Sequence, residues 1–195
     1  MKILQWLFLL GIGFVPLSAK PYVVSDAFLN SRSVDFVETI SSQLYTKTGV
    51  ALYVVSVDNL QGESKEDRNK YKKSILAGLK EPYGVIFFIK SHKKIDVILK
   101  PKIDSINPDT IITEYLVPIL IQDKKLSNAT LSAAILNGYA QLADEIASYY
   151  HQELPDNIIV DKSGAKDIVH YTLLTILGLT FILILGVYLF GRRKR

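Results

Sequence analysis

Hydrophobic positions along the middle of the chain follow two alternating rhythms, one helical and one extended. Val34, Val37, Ile40 and Leu44 return every three or four residues, which puts them on one face of a helix, and Gly49 follows where a left-handed C-terminal cap belongs. Val50 to Val57, VALYVVSV, is β-branched and aromatic with almost no polar break, as a strand covered on both faces requires. Asp58 to Gly62 reads as its loop, and Ser64 to Leu79 is again helical but highly charged. Gly84 to Ile89, GVIFFI, is a second buried strand. Strand, helix, strand predicts a parallel pair joined by a right-handed crossover.

Around this centre the remaining elements are shorter. Lys90 to Lys94 is a polar turn, so Ile95 to Leu99 should return antiparallel as a hairpin partner. Pro21 to Asp26 forms an extended lead. Asn107 caps a further helix, with Pro108 at its first position, running to about Ile121. A last helix starts near Ser127 and continues through Leu131, Ile135, Leu142 and Ile146 to about Tyr150. Residues 20–150 are thus expected to form an α/β domain, a small central mixed β-sheet flanked by helices on both faces.

The two ends carry a different pattern. Met1 and Lys2 precede the apolar run Ile3 to Val15 and then Pro16-Leu17-Ser18-Ala19, the layout of a signal peptide over residues 1–19 with cleavage after Ala19. That run is shorter than the roughly 20 residues a membrane span needs. Tyr171 to Phe190 is 20 residues without a charge, followed at once by Gly191-Arg192-Arg193-Lys194-Arg195. One C-terminal transmembrane helix over 171–190 is expected, with the basic tail 191–195 in the cytoplasm by the positive-inside rule. Residues 151–170, mixed in Pro, Gly and charge, read as a juxtamembrane linker. The expected arrangement is a single-pass protein of the cytoplasmic membrane whose domain faces the periplasm or exterior.

Charge and cysteine content narrow the chemistry. The net charge is +4, but of the 23 basic residues Lys2 and the four cations of the tail lie outside residues 20–167, leaving 18 there against all 19 acidic ones. The basic excess therefore belongs to targeting and topology, and the domain has no electrostatic footprint for nucleic acid. Lys70, Lys72 and Lys73 form a local basic cluster that a solvated helix face explains. With no cysteine in the chain, disulfides, thiolate metal sites and cysteine nucleophiles are excluded together.

The stretch TGVALYVVSVDNLQGESKED, Thr48 to Asp67, resembles the TPM domain family, whose pattern is Thr-Gly, an apolar strand, then Ser/Asn-Leu-x-Gly-x-Ser-x-Glu-Asp. Val24-Ser25-Asp26-Ala27 is similar to the family's opening Val-x-Asp-x-Ala, Ile103-Asp104 and Pro108-Asp109 fall where it has Leu-Glu and Pro-Asp, and Glu114 with Pro118 fits its next helix. The resemblance covers roughly residues 21–147. It implies an exported α/β domain, with calcium held at loop carboxylates in some relatives and a phosphatase activity ascribed to plant members. Two departures bear on this. The family's Asp-Asn-Gly before the second central strand is here Pro82-Tyr83-Gly84, and its two glycines after the hairpin are Lys100 and Lys102.

Hard cations want several oxygen ligands gathered on loops. Asp26, Asp104 and Asp109, with Glu81 beside them, are the candidate metal ligands, and calcium the candidate ion. The resemblance would bring Asp26 and Asp104 to one end of the sheet. His92, His151 and His170 are too dispersed for a catalytic or zinc cluster, and no Gly-x-Ser-x-Gly elbow or phosphate-binding glycine loop is present. Asn128-Ala129-Thr130 matches a glycosylation sequon but opens a helix, where Asn serves the cap. Tyr83, standing in place of the motif's Asn at a loop, is the candidate interaction residue. The expectation is a non-enzymatic accessory factor that assembles or maintains a membrane protein complex. The alternatives are a metal-dependent, calcium-binding acid phosphatase and an envelope domain that binds a small ligand. Oligomeric state is left open.

Overall fold

The computed structural model describes residues 22–160, apart from Gln61, Glu63 and Lys124, together with Leu177 and Thr180. The chain runs β1 (Val23–Asp26), α1 (Ser31–Thr48), β2 (Ala51–Val57), α2 (Lys65–Leu76), β3 (Tyr83–Ile89), β4 (Lys94–Lys100), α3 (Pro108–Thr110), a π-helical turn (Ile111–Leu116), α4 (Val117–Leu120) and α5 (Asn128–Tyr149). The four strands form one sheet in the order β1-β2-β3-β4. β1, β2 and β3 are parallel and β4 is antiparallel to β3, so the sheet is mixed as expected. The expected signal peptide, most of the expected span and the basic tail lie outside the described residues. Among the described residues no helix is long and apolar enough to cross a membrane.

Alternation along β2 and β3 divides the core in two. Leu52, Val54, Ile86 and Phe88 face one side, where Val37, Ile40 and Leu44 of α1 and Leu131, Ile135, Leu142 and Ile146 of α5 cover them. Ala51, Tyr53, Val55, Tyr83, Val85 and Phe87 face the other, where α2 packs with Tyr71, Ile75 and Leu76. Helices on both faces are therefore a direct consequence of strands apolar on both faces. The topology has a cost in handedness. β1, β2 and β3 advance across the sheet in one direction while α1 and α2 lie on opposite faces, so the two crossovers have opposite hands. One of them departs from the right-handed rule.

Local chemistry sets the element ends. Gly49 adopts φ +75° and its N–H donates to the Tyr45 carbonyl, a left-handed cap. Asn107 accepts from the Asp109 N–H with Pro108 in the first turn. The helix that follows is not uniform. Pro118 has no N–H to give and its ring crowds the preceding turn, and the chain meets this with the wide turn Ile111–Leu116, where the Val117 N–H reaches back to Ile112. Ser127 caps α5, and Asn128 is its first residue.

One buried polar contact ties α1, α5 and β2 together. The Tyr139 hydroxyl donates to the Val37 carbonyl at 3.1 Å and lies in hydrogen-bond contact with the Ser41 hydroxyl, which donates to the Leu52 carbonyl. Burial holds the Tyr139 hydroxyl well above the ordinary tyrosine pKa, so it stays protonated and keeps donating. At the start of α5, the Asp123 carboxylate accepts from the backbone of Ser127 and Lys125 and from the Thr130 hydroxyl. These bonds hold its pKa well below the usual carboxylate range.

Two predictions follow from these contacts. Tyr139→Phe keeps the ring but removes the buried hydroxyl that bonds the Val37 carbonyl and the Ser41 hydroxyl, and should cost about 1–3 kcal/mol in urea unfolding. Asp123→Ala should lower the melting temperature at neutral pH. Because the folded-state pKa is depressed, that contribution is present above the unfolded-state value of about 3.9 and is lost as pH falls through the folded one. The gap between the two proteins should therefore narrow in melts run below about pH 4.

Candidate functional site

The strand register sorts the candidate residues by the two ends of the sheet. Asp26 closes β1 opposite Ser56, at the C-terminal ends of the parallel strands. Tyr83 opens β3 opposite Ala51, and Lys100 closes β4 opposite Tyr83, both at the N-terminal ends. Asp104 lies in the loop leaving β4 from that second end, and Asp109 sits in the first turn of α3. The expectation that Asp26 and Asp104 share one end is corrected here. β1 and β4 are opposite edges of the sheet, and their chains leave it in opposite directions. All three carboxylates are exposed. Asp104 has Lys102 beside it at 3.5 Å, and Glu81 pairs with Lys100 at 2.7 Å, which raises the pKa of the Lys100 ammonium. Among the described residues no three His, Cys, Asp or Glu gather in a way that could hold a metal ion.

Tyr83 is also placed differently. It was expected on a loop, but it is the first residue of β3, 4% exposed, packed in the layer under α2. The strand begins one residue earlier than the apolar run suggests, and the aromatic ring faces inward. Gly84 beside it has a packing role: a Cβ there would meet Leu52 at 2.8 Å and Leu99 at 3.1 Å, with Ile146 of α5 at 3.6 Å. The single motif glycine retained at this point is where the α5 layer closes onto the sheet.

The C-terminal end of β2 carries the feature that sequence reading missed. An open cleft of about 510 Å³ lies between the β2 exit and α2, lined by Val57, Asn59, Leu60, Asp67, Lys70, Tyr71 and Ser74. In open α/β sheets this edge, beyond the C-terminal ends of the strands, is where ligands bind. Burial raises the pKa of Tyr71, which lines the cleft beside Lys70. The rest of the basic cluster divides: Lys72 pairs with Asp96 at 3.0 Å, and Lys73 is exposed.

The Leu-x-Gly-x-Ser-x-Glu-Asp motif builds one wall of this cleft by capping chemistry. Ser64 accepts from the Asp67 N–H at 3.0 Å, and its hydroxyl donates to the Asp67 carboxylate at 2.7 Å. Gly62, at φ +93°, is pressed against that carboxylate, and a Cβ there would collide with it. The signal was in the sequence, since Ser64 and Asp67 stand three apart before a helix, but the cleft depends on how α2 lies over β2. Gly62→Ala should unfold about 1–3 kcal/mol more easily, through the strained φ and the displaced carboxylate. Adding Asp67→Ala to it should recover part of that loss in the same urea titration, by removing the collision.

No curated protein matches the chain. Among solved structures, the NMR structure of BA42 protein from the psychrophilic bacterium Bizionia argentinensis is similar over 69% of this chain and 93% of its own, at 13% identity and a TM-score of 0.44. The sequence profile of the TPM domain matches residues 23–145, from the start of β1 almost to the end of α5. The chain belongs to the TPM domain family.

Proposed function

We propose that this TPM domain is anchored in the cytoplasmic membrane by residues 171–190, faces the periplasm or exterior, and acts as a non-enzymatic accessory factor that assembles or maintains a membrane protein complex. The observation that carries this reading is the separation of its carboxylates. A hard cation draws its oxygens into one coordination sphere, whereas Asp26 ends one edge strand and Asp104 follows the other, from opposite ends of the sheet. The position where the family pattern has Asp-Asn carries cis-Pro82 and a buried Tyr83, which present no carboxylate. What the domain offers instead is surface: an open cleft and an α2 whose Lys65, Lys70 and Lys73 are exposed.

The competing reading is a calcium-dependent acid phosphatase. It would draw on Asp104 and Asp109, which the β4–α3 loop and the first turn of α3 bring near each other along the chain. Phosphoryl hydrolysis needs an activated water or nucleophile and cations at the developing charge.

Two measurements separate the readings. Full-length chain purified in detergent should release no phosphate from p-nitrophenyl phosphate with millimolar calcium, and calcium should not raise its melting temperature. Phosphate release that Asp104→Ala or Asp26→Ala abolishes would establish the enzyme instead. In membranes, the chain carrying a photocrosslinker at Asn59 should capture membrane proteins, and a reporter fused after Arg195 should be active in the cytoplasm. Recovery of the tagged chain alone, under conditions that preserve complexes, contradicts the accessory role.

A further inference from the structure

The stretch after α5 reads as linker in the sequence, yet its first ten residues are fastened to the domain. Residues 151–160 turn back along the outer groove between α1 and α5. Lys47 of α1 donates to the Glu153 carbonyl at 2.6 Å and Gln43 to the Asp156 carboxylate at 2.5 Å. Asn157 donates to the Ala140 carbonyl at 2.9 Å and to Asp144 at 2.7 Å on α5. Leu154 and Val160 are buried at the two ends of this strap. Between them the strap turns Ile158 and Ile159 outward, and Ile159 is 98% exposed. Just before the strap, Tyr149 and Tyr150 are also exposed, their rings edge to face at 5.0 Å.

Docking the strap shortens the free tether. Only residues 161–170 remain between Val160 and the apolar stretch that starts at Tyr171, a reach of at most about 36 Å when fully extended. The strap ends on the α1/α5 layer, whereas α2 lies beyond the sheet on the opposite face. With layers spaced about 10 Å apart, contact through α2 would use up much of that reach in passing the domain, whereas contact through the α1/α5 layer needs little of it. An isoleucine pair and a tyrosine pair next to a membrane anchor have the chemistry of the interfacial zone, where apolar bodies bury and hydroxyls stay wet. Exposed Asp35, Glu153 and Asp156 on this face offset the exposed cations Arg32 and Lys47 of α1, leaving no positive excess to attract anionic headgroups.

Resting on the anchored reading above, we infer that the α1/α5 layer with its strap lies against the bilayer that holds the chain, touching its neutral interfacial zone through Tyr149, Tyr150, Ile158 and Ile159. The β2–α2 cleft and the cationic face of α2 then point away from the membrane, toward the side from which a partner arrives.

The absence of native cysteine makes the test clean. Full-length chain bearing a single cysteine, Tyr149→Cys, Ile159→Cys, Asn59→Cys or Lys73→Cys, is labelled with an environment-sensitive fluorophore and reconstituted into phosphatidylcholine vesicles carrying nitroxide lipids. Labels at 149 and 159 should be quenched by lipid several-fold more than those at 59 and 73, and should emit further to the blue. Equal quenching at all four positions, or stronger quenching at 59 and 73 once anionic lipid is added, overturns the orientation while leaving the anchor standing. Failure of the chain to float with the vesicles overturns the anchor and the orientation together. To separate strap docking from folding, Asn157→Ala should leave the melting temperature close to that of the parent while reducing lipid quenching at 159. Quenching at 159 unchanged in that variant would contradict the role of the strap.

Discussion

The burial of β2 and β3 on both faces is the constraint from which the rest of the structure follows. Every residue of β3 is buried, and six of the seven in β2. Parallel strands of this kind cannot leave a face to water, because neither face has the polar set that would pay for its exposure. The chain must therefore supply a helical layer on each side, α1 with α5 on one and α2 on the other. Since the strands advance in one direction, meeting that demand forces crossovers of opposite hand. It also fixes which groups emerge at which end, and so keeps Asp26 away from the β4–α3 loop.

The two helical layers are unequal, and that inequality organises the surface. α1 and α5 bury large apolar side chains and are joined through the hydroxyls of Ser41 and Tyr139, as well as Ser33 and Ser132 at 3.0 Å. α2 has no fully buried residue, and among the described residues it is the helix that packs on its face of the sheet. The thick layer has an outer groove that the strap fills, and the thin one leaves a cleft beside the β2 exit. In the proposed orientation the first side faces the bilayer and the second faces a partner.

Much of this was legible in the residues, for physical reasons that also mark where legibility stops. The α1 periodicity and Gly49, the apolar runs of β2 and β3, the polar hairpin turn, and Asn107 before Pro108 are local signals, and the structure has each of them. The π-helical turn ahead of Pro118 was not read, because a proline inside a helical pattern shows a disturbance but not how the backbone absorbs it. The placement of Asp26 against Asp104 depended on strand order and register, which are long-range and leave no mark on either loop. Tyr83 stands where the family pattern has a loop Asn, which is why a loop was expected, and the packing of α2 decided otherwise. Residues 151–160 looked like linker by composition, and their attachment rests on single side chains, Asn157 above all, that only the groove between α1 and α5 makes meaningful.

The account stands on the claim that the domain's carboxylates do not meet. The direct measurement is the distance between nitroxide labels on a chain carrying Ala27→Cys and Ser105→Cys, exposed neighbours that leave Asp26 and Asp104 in place, read by pulsed electron resonance with and without calcium. Three strand spacings separate the edges from which these residues depart, about 14 Å before the opposite exits are added. The account predicts a label separation well above that value and unmoved by calcium; a short distance, or one that collapses when calcium is added, would contradict it.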